Sequence, residues 1–151
     1  MTDQIRKQIE LRAPQSRVWR ALSDRTEFGA WFGVRFPAGT FVLGETVSGN
    51  ITYPGHEHVV MDIEIVEVTP ERTLAYRWHP YAVDPKTDYS SEPTTLVTFS
   101  LEATATGTLL TVVESGFDNI PLHRRDEAFR RNDGGWAEQM VNIERHVIAS
   151  Q

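Results

Sequence analysis

Residues 114–151 read ESGFDNIPLHRRDEAFRRNDGGWAEQMVNIERHVIASQ, and the rest of the chain is best understood from them. Glu114-Ser115-Gly116-Phe117 closes a strand and leads into a helical stretch in which Trp136, Met140, Ile143 and Val147 recur at helical spacing. Ala137, Val141 and Ile148 flank these positions and widen the expected apolar stripe. A wide stripe needs a broad partner, and antiparallel strands with one apolar face, curved around the helix, supply it. Asn132-Asp133-Gly134-Gly135 falls inside this stretch, and each mid-helix glycine costs roughly 1 kcal/mol relative to alanine. The reading is one long helix, opened by Pro121 and weakened at the glycines. The alternative is two helices, the second capped by Asp133.

Upstream, Ile5, Ile9 and Leu11 share odd parity, the two-residue period of a half-buried first strand. Pro14 suits a first helical turn, with Val18, Trp19 and Leu22 following at helical spacing. Asp24 with Glu27 resembles a capping box for a second short helix carrying Phe28, Trp31 and Phe32. After Gly33 the pattern is strands for about eighty residues, with Gly44, Gly49 and Pro54-Gly55 as punctuation. Phe41, Leu43, Val47, Ile51 and Tyr53 share one parity. Met61, Ile63 and Ile65 share the next, and the apolar set then slips to Val66 and Val68, which predicts a bulge near Ile65. Leu74, Tyr76 and Trp78 make a strand, as do Val97, Phe99 and Leu101 beyond the polar loop 83–94, and Gly107 marks a hairpin into residues 109–115.

The composition is that of a globular protein, with 40% hydrophobic and 24% charged residues. The 151 residues are read as a single domain, 1–151, with one core. A formal charge of −6 and the lack of a basic face argue against nucleic acid as a partner. Without cysteine there is no disulfide, thiolate nucleophile or thiolate metal site. Residues 1–20 hold charges throughout and no apolar run, and no long apolar segment follows. Neither a secretory signal nor a membrane span is expected, and a cytoplasmic location is.

This order of elements, with Ala13-Pro14, Val18-Trp19, Trp31-Phe32, Glu114-Ser115-Gly116-Phe117 and Gly135-Trp136, resembles the START-like SRPBCC superfamily. Within it the chain looks like the bacterial homologues of the C-terminal domain of the heat-shock-protein-90 ATPase activator, over nearly its whole length. The resemblance implies an α+β helix-grip fold of the birch-pollen-allergen type. In it a curved antiparallel sheet of six to seven strands wraps a long C-terminal helix, and two short helices follow strand one. Members usually hold an apolar cavity between sheet and helix. The same fold carries lipid and hormone carriers, cyclase-type enzymes and co-chaperone modules, so function must be argued from the site.

Three functions are weighed. The first is binding of an apolar or aromatic small molecule, with Trp31, Phe32, Tyr76, Trp78, Phe99, Glu114, Phe117, Trp136 and Met140 as lining candidates; the plainer alternative is that these side chains fill the core. The second is protein binding, either to a chaperone or as a homodimer through an edge strand or the short helices. The third is a cyclase- or hydrolase-type enzyme, for which Glu114 is the candidate acid or base. Its strand is apolar on both faces, so parity leaves its direction open. His56, His58 and Asp62 share parity but follow a Pro-Gly turn and lack a completing ligand set, so no metal is expected and no cofactor is implied. No serine lies in a Gly-x-Ser-x-Gly turn. His123-Arg124-Arg125 with Arg130-Arg131 reads as a solvated face with local ion pairs.

Overall fold

A computed structural model of the chain describes residues 3–149; residues 1–2 and 150–151, the ends of the expected domain, lie outside the described residues. The elements run β1 (Gln4–Leu11), α1 (Gln15–Ser23), α2 (Arg25–Phe32), β2 (Val34–Arg35), β3 (Thr46–Ile51), β4 (Val60–Thr69), β5 (Thr73–Trp78), β6 (Thr95–Ala103), β7 (Thr108–Ser115) and α3 (Leu122–Ala149). A short 3-10 turn at Phe117–Asn119 precedes α3. The seven strands form one curved antiparallel sheet in the order β1-β7-β6-β5-β4-β3-β2, gripping α3. The α+β helix-grip architecture expected from the sequence is the one observed.

Local chemistry explains the breaks between elements. The Pro14 carbonyl accepts from the Arg17 and Val18 N–H groups and starts α1. Asp24 then caps α2, its Oδ2 accepting from the Glu27 N–H at 2.8 Å. Gly33 ends α2 in the left-handed region at φ 96°, where glycine carries no steric cost. The register between β4 and β5 shifts between Ile65 and Glu67, so the bulge falls at the phase slip seen in the sequence. At Gly107, in the β6–β7 hairpin, a Cβ would stand 2.0 Å from the Leu11 carbonyl oxygen, so only glycine lets β1 end this close.

Helix α3 runs unbroken through Gly134 and Gly135 for 28 residues. Trp136, Met140, Ile143 and Val147 are buried on it, joined by Ala128. The stripe is narrower than expected: Ala137 is exposed, and Val141 and Ile148 are each 48% exposed. A single sheet covers only one face of the helix, so residues flanking the seam turn outward. Leu43 is also exposed, because residues 36–45 form a loop rather than an extension of β3. Phe41 still reaches the core from that loop, held by its N–H to the Ser23 carbonyl at 3.0 Å. The aromatic core centres on Phe28, whose ring lies 4.8–6.4 Å from those of Trp31, Phe32, Phe36, Phe41, Tyr76 and Phe99.

Candidate functional site

Along β7 the even-numbered residues face α3. The register sets Glu114 between Ile5 of β1 and Val97 of β6, both buried on the inner face. Glu114 is therefore fully buried. Its Oε2 accepts from the Trp78 indole N–H at 2.7 Å and the Thr95 hydroxyl at 2.5 Å. Its Oε1 accepts from the Trp136 indole N–H at 2.9 Å and the Asn132 amide at 2.9 Å. Asn132 and Trp136 are four residues apart on α3 and so present donors from one helix face. A carboxylate is acceptor-only when ionised, and this shell consists of donors, which matches it. Burial first, and the negative charge of Glu114 second, push the Tyr76 phenol well above its ordinary value. The Tyr76 hydroxyl is buried and has no hydrogen-bond partner among the described residues.

Beside this carboxylate lies a cavity of about 580 Å³, within the roughly 300–1,000 Å³ usual for small-molecule sites. Ile51, Val60 and Met61 come from β3 and β4, Tyr53, His56 and Val59 from the loop between them, and Trp78 from the end of β5. Loop 79–94 adds His79, Tyr81, Tyr89 and their neighbours, while Phe32 and Asn132 come from α2 and α3. A recess of about 120 Å³ shares Phe32, Trp78 and Asn132 with it and is completed by Gly135, Trp136 and Gln139. The loop is tied down by Arg124 of α3, which donates to Glu92 at 2.8 Å and the Pro80 carbonyl at 2.6 Å and sits 4.8 Å from the Tyr89 ring centre. Arg124 is thus a staple between helix and loop, not part of a solvated face. Arg131 keeps the expected character, exposed and 3.7 Å from Glu127, with its guanidinium over Tyr81.

The family model for activator of Hsp90 ATPase homolog 1-like proteins matches residues 12–147. The chain belongs to that family. No curated protein matches it. Among solved structures, protein MLL2253 from Mesorhizobium loti is 24% identical, with 98% of each chain covered and a TM-score of 0.77. The Aha1 dimer from Colwellia psychrerythraea is 16% identical at a TM-score of 0.71, covering 97% of this chain and 96% of that one. DynU16, from the dynemicin biosynthetic locus, is 22% identical at a TM-score of 0.76; all of this chain aligns, but to only 49% of that one. At these identities the structural likeness establishes the shared fold.

Against this family fold the residues singled out from the sequence separate into groups. Phe32 and Trp78 line both cavities, and Trp136 lines the smaller one. Glu114 lines neither but hydrogen-bonds three residues that do. Trp31, Tyr76 and Phe99 are buried around Phe28, Phe117 packs on Phe129 at 5.0 Å, and Met140 is buried on α3; none of the five lines either cavity. Tyr53, Tyr81, Tyr89 and Asn132 were not anticipated. Tyr81 and Tyr89 lie in a loop with no periodicity, and Asn132 lies in the stretch that looked like a helix breaker. Among the described residues, no three His, Asp or Glu side chains gather as metal ligands, and no helix is long and apolar enough to cross a membrane. His56 lines the large cavity and His58 does not.

Proposed function

We propose that this protein binds a small apolar or aromatic molecule in the 580 Å³ cavity, against Phe32, Trp78 and the tyrosines of the covering loops. The observation that carries this reading is a cavity of ligand size walled by five aromatic side chains. Glu114 enters this reading as an anchor that orients Trp78, Trp136 and Asn132 rather than as an acid or base, since both its oxygens already accept from protein donors. Native mass spectrometry of freshly purified protein, compared with the denatured sample, tests it. A reproducible mass excess lost on denaturation is expected, as is mass gain from an aromatic panel. Repeated failure to take up any member of a broad apolar and aromatic panel would overturn the reading.

A second reading is protein binding on the outer face of α3. Val141 and Ile148 are half exposed there, seven residues apart and so on one side of the helix. The family description, and the solution of one structural relative as a dimer, favour a partner chain as the occupant of that face. The same spectra report subunit number, and monomeric spectra at all concentrations would remove the homodimer form of this reading.

A further inference from the structure

Glu114 is a fully buried carboxylate, yet among the described residues no Lys, Arg or His forms an ion pair with it. Its partners Trp78, Thr95, Asn132 and Trp136 are all neutral. They satisfy its lone pairs and leave its charge uncompensated, in a setting where an unpaired charge is costly. Two of these partners are indoles, and an indole donating its N–H to an anion gains electron density on its ring. The rings of Phe32, Trp78 and Trp136 stand 6.3, 6.0 and 6.0 Å apart, a near-equilateral triangle bordering the 120 Å³ recess. A group resting on such a triangle lies within about 6 Å of all three centroids, the reach of cation–π attraction. Gly135 keeps the helix side of the recess clear: a Cβ there would meet nothing within 4 Å. Among the described residues, no Lys or Arg lines either cavity.

We propose that the ligand is an organic cation, an alkylated ammonium seated against Phe32, Trp78 and Trp136 with its apolar body in the larger cavity. The inference rests on the cavity being a ligand site, as proposed above. An alkylated nitrogen fits better than a primary amine. The Glu114 oxygens are taken and buried, which leaves N–H donors few acceptors in the recess, whereas a quaternary nitrogen needs none. The attraction is then the field of a buried charge and of three neighbouring rings rather than a direct ion pair.

Three probes of one shape separate the possibilities: (1-naphthylmethyl)trimethylammonium, its carbon isostere 1-(2,2-dimethylpropyl)naphthalene, and 1-naphthylacetate. Binding to the intact protein is followed by tryptophan fluorescence and calorimetry at about 0.15 M and about 0.5 M salt, because surface attraction is screened at the higher concentration and a buried charge is not. The ammonium is expected to bind at least about tenfold tighter than the isostere at both concentrations, and the carboxylate more weakly than either. Glu114→Gln, checked for folding by circular dichroism, is expected to bring ammonium and isostere within about twofold of each other. If that variant does not fold, the wild-type ratio alone decides. Equal or tighter binding of the isostere, or a preference that disappears at high salt, overturns the cation assignment and leaves the cavity reading standing. No binding of any of the three overturns the cation assignment, and failure of the broad panel as well overturns both.

Discussion

Glu27 and Glu114 both tie α3 to the rest of the molecule, and they are satisfied in opposite ways. Glu27, partly exposed on α2, accepts from Arg17 at 2.9 Å, Arg20 at 2.8 Å and His146 at 2.9 Å, clasping α1, α2 and α3 with two guanidinium groups among its partners. Glu114, fully buried on β7, is held by neutral donors alone. The first cluster carries its own countercharge and is complete as a structural clasp. The second is complete in hydrogen bonds and incomplete in charge, and it sits beside a cavity. Both carboxylates are saturated with donors, three at Glu27 and four at Glu114; what separates the fastening from the candidate site is charge.

Removing each carboxylate should make the contrast measurable, with the greatest effect at Glu114. Glu114→Leu strands two indole N–H groups, an amide and a hydroxyl, and is expected to cost on the order of 3–5 kcal/mol in urea unfolding. A loss under about 1 kcal/mol would mean that the four donors find other partners, and the anchor role would fall. Glu27→Gln keeps the size of the side chain but removes its charge and turns one accepting oxygen into an NH2 facing a donor, so about 1–2 kcal/mol is expected at neutral pH.

The Glu27 effect should also depend on pH. Burial raises its carboxyl, but the hydrogen bonds from His146 and Arg17, the Arg17 charge and the Arg20 hydrogen bond outweigh this and hold it below the ordinary value of 4.5. A depressed folded-state value means that the stabilisation is present above the unfolded value and disappears as pH falls through the folded one. The gap between wild type and Glu27→Gln should therefore be full at pH values above 4.5 and close below it. A gap that persists unchanged into stronger acid would show that the clasp does not depend on the Glu27 charge.

The smallest expected effect is at the glycine pair. Neither Gly134 nor Gly135 has an atom within 4 Å of where a Cβ would stand, so alanine at either should stabilise α3 by about 0.5–1 kcal/mol. Only Gly135 lines the recess, so Gly135→Ala should weaken binding of the naphthyl ammonium probe while Gly134→Ala leaves it unchanged. Equal binding by the two variants would place the ammonium outside the recess.

The order of strands and helices, the Asp24 cap, the bulge after Ile65 and the buried seam of α3 were all readable from residue spacing. Each depends on a local period or a cap formed within a few positions, and such signals survive without knowledge of the fold. The unbroken course of α3 was the favoured reading too, although the local cost of two glycines argued against it; contacts along the rest of the helix outweigh that cost. The direction of Glu114 was not readable, because β7 is apolar on both faces and only its pairing with Ile5 and Val97 turns the even residues inward. Its partners lie 18 to 36 residues away in sequence, on β5, β6 and α3. The cavity likewise joins loop 79–94 to Phe32 and Asn132. Sequence alone thus determined most of the helices and strands, because those preferences are local, though not the short β2 or the loop at 36–45. The tertiary structure alone decided which buried charge goes without a counterion and which rings surround the space beside it, because both depend on groups brought together only when the sheet closes on α3.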